Sequence, residues 1–250
     1  MSDADLTGAG AGSSHPSAEI QAAWKLAAAR AAVAAIPNGA VIGLGTGTTA
    51  DLMLAALAER VRHEGLRVTG IPTSERTRIE AARLGIALAD INDDLAITLS
   101  IDGADEVALP QLDLIKGRGG ALLREKLIAA SSRYRVIIAD ASKVVTTLAS
   151  HSPVPVEVVA FGWRRTAARL AELGARPALR PLRDDPTRPF VTDEGHYILD
   201  CHLGPIARAE ALAARIKDVV GVVEHGLFIG MTERVYIAGP QGVRAYDRPD

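Results

Sequence analysis

A chain of 250 residues with 48% apolar and 23% charged residues has globular composition and enough length for one larger and one smaller domain, each with a core. A formal net charge of −2 gives no basic field, so nucleic acid is excluded as an expected partner. The lone cysteine, Cys201, excludes an internal disulfide, fits a reducing compartment and reads as a small buried residue of a strand.

Residues 1–14 are acidic and then rich in Gly, Ala and Ser, without the basic and apolar segments of a signal peptide. The expectation is a disordered tail over 1–16 on a cytoplasmic protein. No apolar run approaches the roughly 18–20 residues of a spanning helix, so no membrane partner is expected. Ser17 after Pro16 is an N-cap signal for a helix that continues to Ile36 and stops at Pro37-Asn38-Gly39. A buried strand over 40–44, a Gly/Thr turn and a helix over 49–63 follow. Strands over 67–71, 95–101 and 135–139 then alternate with helices over 74–84 and 120–131. This alternation predicts an α/β fold, a Rossmann-like and mostly parallel sheet with helices on both faces.

After Lys143 the pattern changes. A proline-bounded strand over 153–159, a helix over 163–173, a charged connection or edge strand over 176–189, and a hairpin around Asp193-Glu194-Gly195 precede a helix over 205–219. These form an additional smaller α+β domain over 149–221, with 17–148 and 222–250 making the larger unit. Short apolar strands over 227–229 and 235–238 return to the first sheet.

Four polar motifs fall at strand ends. Gly43-Leu44-Gly45-Thr46-Gly47-Thr48-Thr49 joins a strand to a helix, where glycines let backbone N–H groups approach an anion. No Lys follows the last Gly, which excludes a Walker loop, and the third Gly comes one residue too early for a dinucleotide fingerprint. The motif reads as a monophosphate cradle or as a tight turn with packing glycines. Asp102-Gly103-Ala104-Asp105-Glu106 puts acids at a carboxyl strand end, where open α/β sheets bind ligands; capping and a magnesium site are its other readings. Residues 116–126, Lys-Gly-Arg-Gly-Gly-Ala-Leu-Leu-Arg-Glu-Lys, form a glycine loop opening into a helix whose second turn carries Arg124, Glu125 and Lys126. Glu125 reads as functional, whereas Arg124 and Lys126 are equally well a solvated face. Asp140-Ala141-Ser142-Lys143 ends another strand, and its lysine can serve a phosphate or a sugar oxygen. The histidines show no ligand spacing, so no metal site and no cofactor are expected.

Taken in order, these stretches resemble ribose-5-phosphate isomerase of the A type over nearly the whole chain, joined by Thr73-Ser74, Pro155-Val156-Glu157-Val158, Thr192-Asp193, Ile198-Leu199-Asp200 and 221–228. The resemblance implies a metal-independent interconversion of ribose 5-phosphate and ribulose 5-phosphate by a homodimer or homotetramer. It implies Glu125 as the proton-transferring base. Thr46, Gly47, Thr48 and Thr49 correspond to the phosphate loop, within reach of Lys25. Asp102, Asp105, Lys116 and Lys143 match residues that hold the sugar or assist ring opening, and Gly103, Ala104, Gly117, Arg118 and Gly119 line the same site. Thr48 stands where serine is frequent. Glu194-Gly195-His196 departs from a more usual Asn-Gly-Asn and is expected to lie away from the site. A sugar-phosphate sensor and a CoA transferase with a glutamate nucleophile are the competing readings.

Overall fold

The computed structural model describes residues 16–249; the tail expected over 1–16 lies outside them except for Pro16. Ser17 caps helix α1 (Ala18–Ala34) by accepting the Ile20 N–H at 3.3 Å. Its buried face, Ala28, Ala29, Ala32 and Val33, is small enough to lie close against its neighbours. Strand β1 (Ala40–Leu44) leads through a glycine turn into α2 (Thr48–Glu64), and Arg60 of α2 donates to the Val33 carbonyl at 2.7 Å, closing the end of α1. Then come β2 (Val68–Pro72), α3 (Glu75–Arg83), β3 (Ala87–Leu88), β4 (Leu99–Gly103), β5 (Glu106–Ala108), β6 (Asp113–Ile115), α4 (Leu122–Ser131) and β7 (Arg135–Asp140). A 3-10 turn, Ala141–Lys143, precedes β8 (Val144–Val145) and β9 (Val154–Val158). The chain continues with α5 (Trp163–Glu172), β10 (Arg176–Leu179), β11 (Tyr197–His202), α6 (Ala209–Lys217), β12 (Val222–His225), β13 (Leu227–Phe228), β14 (Arg234–Gly239) and β15 (Gly242–Asp247).

Seven strands form the main sheet in the order β15-β14-β7-β4-β1-β2-β3, parallel except for the last hairpin, β14–β15. Alternation along β1 divides its side chains between two layers. Ile42 and Leu44 enter the large core under α1 and α2, while Val41 packs with Ile71, Ile97 and Ile128 of α4 on the other face. The sheet is therefore covered on both sides, as the alternation predicts. Direction reverses at β1: the chain runs outward through β2 and β3 and returns to lay β4 on the opposite flank. A crevice opens at such a reversal, outside the carboxyl ends of β1 and β4.

The smaller unit is an antiparallel sheet, β10-β11-β9-β12, covered by α5 and α6. Cys201 is fully buried in it, and burial pushes its thiol up to about 12. This sheet takes β12 from residues 222–225, which the sequence division assigned to the larger unit; β12 pairs with β9 across a bulge. A third sheet, β13-β6-β5-β8, joins the two units. Residues 227–229 were expected in the main sheet, but Leu227 and Phe228 pair with β6 instead. Their two-residue length carries no alternation from which a partner could be read. Glu106 ties this sheet to the loop before β9 by accepting the N–H groups of Ala149, His151 and Ser152 at 2.6–2.7 Å. Among the described residues no helix is long and apolar enough to cross a membrane.

Lys126 is a pin between units rather than part of a solvated face. Its ammonium donates to Glu224 at 2.9 Å and to the carbonyls of His225 at 2.5 Å and Leu227 at 2.9 Å, and stands 4.8 Å over the Phe228 ring. Burial pushes it down to about 8 against the pull of Glu224. Lys126→Met leaves two carbonyls short of a donor and the half-buried Glu224 with Lys217 alone, and should cost on the order of 1–2 kcal/mol in urea unfolding. A loss below about 0.5 kcal/mol, the range of ordinary surface substitutions, would show that the pin contributes nothing.

Candidate active site

At the end of β1, Gly45 donates its N–H to the Ile101 carbonyl at 3.0 Å, drawing the loop against β4. A Cβ on Gly45 would run into the backbone and carboxylate of Asp102, so glycine is required for this approach. Gly47 then caps α2 with φ of 115°, a conformation open to glycine. No side chain caps this helix, and its first internal bond is Asp51 N–H to the Gly47 carbonyl. The amides of Thr48, Thr49 and Ala50 are thus the uncompensated donors of a 17-residue helix, whose start at Gly47, Thr48 and Thr49 lines a cavity of about 590 Å³. Lys25, Lys143, Arg76 and Arg183 add positive charge to its walls.

Thr46 serves a different purpose. Its hydroxyl is held by those of Thr73, Ser74 and Thr77 at 2.7–2.9 Å, and its N–H is donated to Asp102 at 3.2 Å. Both groups are engaged within the protein, so Thr46 orients Asp102 from the cavity wall, and the open donors begin at Gly47.

The carboxylates meet one buried cation. Asp102 ends β4, where it accepts N–H groups from Thr46 and Gly103 and lies 2.9 Å from the Lys116 ammonium. Lys116 also donates to the Gly103 carbonyl at 2.6 Å and stands 3.3 Å from Glu125, with the Phe228 ring at 5.4 Å. Lys116 and Glu125 are each only 4% exposed, so their charges interact with little screening by water. Burial would depress the lysine, but Asp102 and Glu125 outweigh it and hold its pKa above the ordinary value. The Glu125 carboxyl is pushed well above the usual range, first by burial and further by Asp102 and Asp105, against the opposing pull of Lys116. The Glu125–Lys116 contact is an ion pair without hydrogen-bond alignment, and Glu125 Oε2 has no hydrogen-bond partner among the described residues. A carboxylate in the cavity wall with raised basicity is equipped to take a proton from carbon.

The helix bearing Glu125 begins at Leu122, so Glu125 sits in its first turn and not the second; residues 120 and 121 remain in the loop. Asp105 accepts the Arg118 N–H at 3.0 Å and so shapes the Lys116 loop. Gly103, Ala104, Asp105, Lys116, Gly117, Arg118, Gly119 and Glu125 all line the cavity together with Lys25 and residues 46–49. Glu106 does not; its three backbone donors mark it as structural. None of residues 194–196 lines the cavity; Glu194 binds Arg124 at 2.5 Å, one residue before Glu125. Sequence reasoning missed Arg180 and Phe190, which reach the cavity from the connection after β10. Their sole sequence signal was an arginine and an aromatic at the two ends of a proline-rich segment. Among the described residues, no group of three or more His, Cys, Asp and Glu is placed to hold a metal ion.

An anion cradle at a sheet reversal, facing a buried base, defines an α/β enzyme site for a small phosphorylated substrate. Residues 69–242 match the sequence model of the family Ribose 5-phosphate isomerase A (phosphoriboisomerase A). A ribose-5-phosphate isomerase A of Synechococcus sp. (strain JA-3-3Ab) is 54% identical over 219 residues, covering 88% of this chain and 94% of its own. The protein of that name from Gluconobacter oxydans (strain 621H) is 49% identical over 223 residues, covering 89% and 96%. Among solved structures, ribose 5-phosphate isomerase A from Methanocaldococcus jannaschii superposes with a TM-score of 0.86 at 36% identity, covering 90% of this chain and 98% of that one. A D-ribose-5-phosphate isomerase in complex with phospho-erythronic acid gives 0.87 at 32% identity, with the same coverage. The chain belongs to the ribose 5-phosphate isomerase A family.

The cradle itself is testable with inorganic phosphate. Lys25→Ala and Lys143→Ala should each weaken phosphate binding roughly tenfold in calorimetry, the loss of one charge-assisted contact. Unchanged affinity in both variants would move the anion site away from α2.

Proposed function

We propose that this cavity interconverts ribose 5-phosphate and ribulose 5-phosphate, with Glu125 carrying the proton between the two reacting carbons. The observation that carries the reading is the Glu125 carboxyl, buried against Lys116 with raised basicity, in the wall of the cavity that the start of α2 also lines. Aldose-to-ketose conversion removes the C2 proton, places negative charge on the carbonyl oxygen, and returns a proton to C1. A base lying against both carbons can perform both transfers, and the resulting enediolate needs positive charge or N–H donors at its oxygens. Lys116 supplies the charge, and the glycine loop supplies amides. The phosphate, gripped at Gly47, Thr48 and Thr49 with Lys25 and Lys143, anchors the substrate so that distant binding energy aligns its carbons.

The relatives matched over more than nine-tenths of their own length are named isomerases, which weighs against the sensor and CoA transferase readings. The phospho-erythronic acid bound to a structural relative is an anionic phosphorylated sugar acid, the chemistry this cavity suits. We extend the reading to a homo-oligomer in the cytoplasm acting on a free phosphosugar; the near-neutral net charge of −2 supports a role apart from nucleic acid.

Glu125→Gln should lower kcat by more than about a hundredfold while KM for ribose 5-phosphate changes little, because the lost function is proton transfer. Near-normal turnover would remove Glu125 from the role. The pH profile gives a signed check. The base acts when deprotonated, so kcat/KM rises with pH through the elevated Glu125 pKa. Lys116 lowers that pKa and Asp102 raises it. Lys116→Met should therefore move the rising limb to higher pH and Asp102→Asn to lower pH; shifts of the same sign would contradict the assignment.

A further inference from the structure

The Lys116 loop closes as a tight turn in which Gly120 donates its N–H to the Gly117 carbonyl at 3.0 Å, leaving Arg118 and Gly119 in the central positions. The peptide between those two residues can face either way. A type I turn and a type II turn differ by a flip of this unit, and type II needs positive φ at the second central residue. Glycine accepts both. Gly117 and Gly120 have φ of 108° and 84°, whereas Gly119 is outside the positive-φ set, so the turn holds the type I sense. Something must choose.

Arg180 makes the choice by contact. Its Nη1 donates to the carbonyls of Gly117 at 2.9 Å and Arg118 at 3.2 Å. Its other edge is held by Asp200, with Nε at 2.9 Å from one carboxylate oxygen and Nη2 on the other. Its backbone is fixed as well, with its N–H on the Ile198 carbonyl and its carbonyl accepting from Phe190, both at 2.9 Å. Because a trans peptide is planar, a carbonyl of Arg118 turned toward Arg180 sends the Gly119 N–H the opposite way. That N–H has no hydrogen-bond partner among the described residues, and Gly119 lines the cavity. The Arg118 N–H is already on Asp105, so Gly119 supplies the open amide of the turn.

We propose that Arg180, braced by Asp200, is a positioning residue of the isomerisation: it locks the Arg118–Gly119 peptide so that the Gly119 amide faces the substrate oxygen that becomes negative. The inference rests on the isomerase reading above. Arg180 does not touch the reacting atoms. A preorganised donor stabilises an oxyanion because no reorientation is required as charge develops, and a turn free to flip loses that advantage.

The test compares wild type with Arg180→Gln, Arg180→Lys and Asp200→Asn, each checked for folding by circular dichroism. Turnover of ribose 5-phosphate is measured alongside affinity for phospho-erythronic acid, whose carboxylate resembles the planar enediolate. Wild-type turnover reads the isomerase assignment by itself, and the variant ratios read this inference. Removing an oxyanion donor costs up to ~10²–10³ in kcat, so mispositioning one should lower kcat by about tenfold or more. KM should change by less than about threefold, and phospho-erythronic acid should weaken in parallel with kcat. Arg180→Lys, which keeps the charge without the fork, should recover only part of the loss. In a folded variant, kcat within about twofold of wild type, or a rise in KM alone, would overturn the proposal. Should Arg180→Gln fail to fold, Arg180→Lys and Asp200→Asn give the same reading.

Discussion

One ammonium buried between two carboxylates organises this molecule. Lys116 reaches Asp102 at 2.9 Å and Glu125 at 3.3 Å in a place where all three are nearly out of water. Three charges in low dielectric are costly unless each has partners, and the fold supplies them unequally. Asp102 receives two backbone N–H groups as well as the lysine at 2.9 Å, whereas Glu125 has the lysine at 3.3 Å from Oε2 and no hydrogen bond at that oxygen. That inequality separates their roles: one acid is held as a counter-ion, and the other is left short of stabilisation and therefore basic.

The surrounding elements serve this arrangement. Asp102 is delivered by the carboxyl end of β4, next to the anion-binding start of α2 at the end of β1, because the strand order reverses between them. Glu125 comes from α4, which is fastened at Arg124 to the 193–194 hairpin and at Lys126 to β12 and β13. Catalytic and smaller units thus meet at the three consecutive residues 124–126. Arg180 adds a second strut from the smaller sheet to the glycine loop.

Much of this was legible before the fold was seen. The β1 bounds, the cap at Ser17, and the gathering of the four polar motifs at one edge follow from hydrophobic periodicity, N-cap chemistry and the α/β rule. What stayed hidden depended on tertiary partners. Strands β5, β6, β8 and β13 have two or three residues each, too short to carry a period. β4 begins at Leu99 rather than Leu95, since Leu95 is 42% exposed and the strand instead extends to Asp102 and Gly103 by pairing with β7. Thr46 lines the cavity, but that its hydroxyl also meets those of Thr73, Ser74 and Thr77 could not be read from the sequence. Glu106 and Glu125 are both buried acids in polar motifs, and only the three N–H groups around Glu106 tell structure from chemistry.

The central claim is that burial, with Asp102 and Asp105 near by, holds the Glu125 carboxyl well above the ordinary glutamate pKa against the opposing pull of Lys116, so that it can accept a proton. The most direct measurement is carbon-13 NMR titration of side-chain carboxyls in glutamate-labelled protein, with Glu125→Gln assigning the resonance. The account predicts a Glu125 signal that titrates far above the other glutamates and moves to higher pH in Lys116→Met. A signal titrating in the normal carboxylate range, near 4.5, would contradict it.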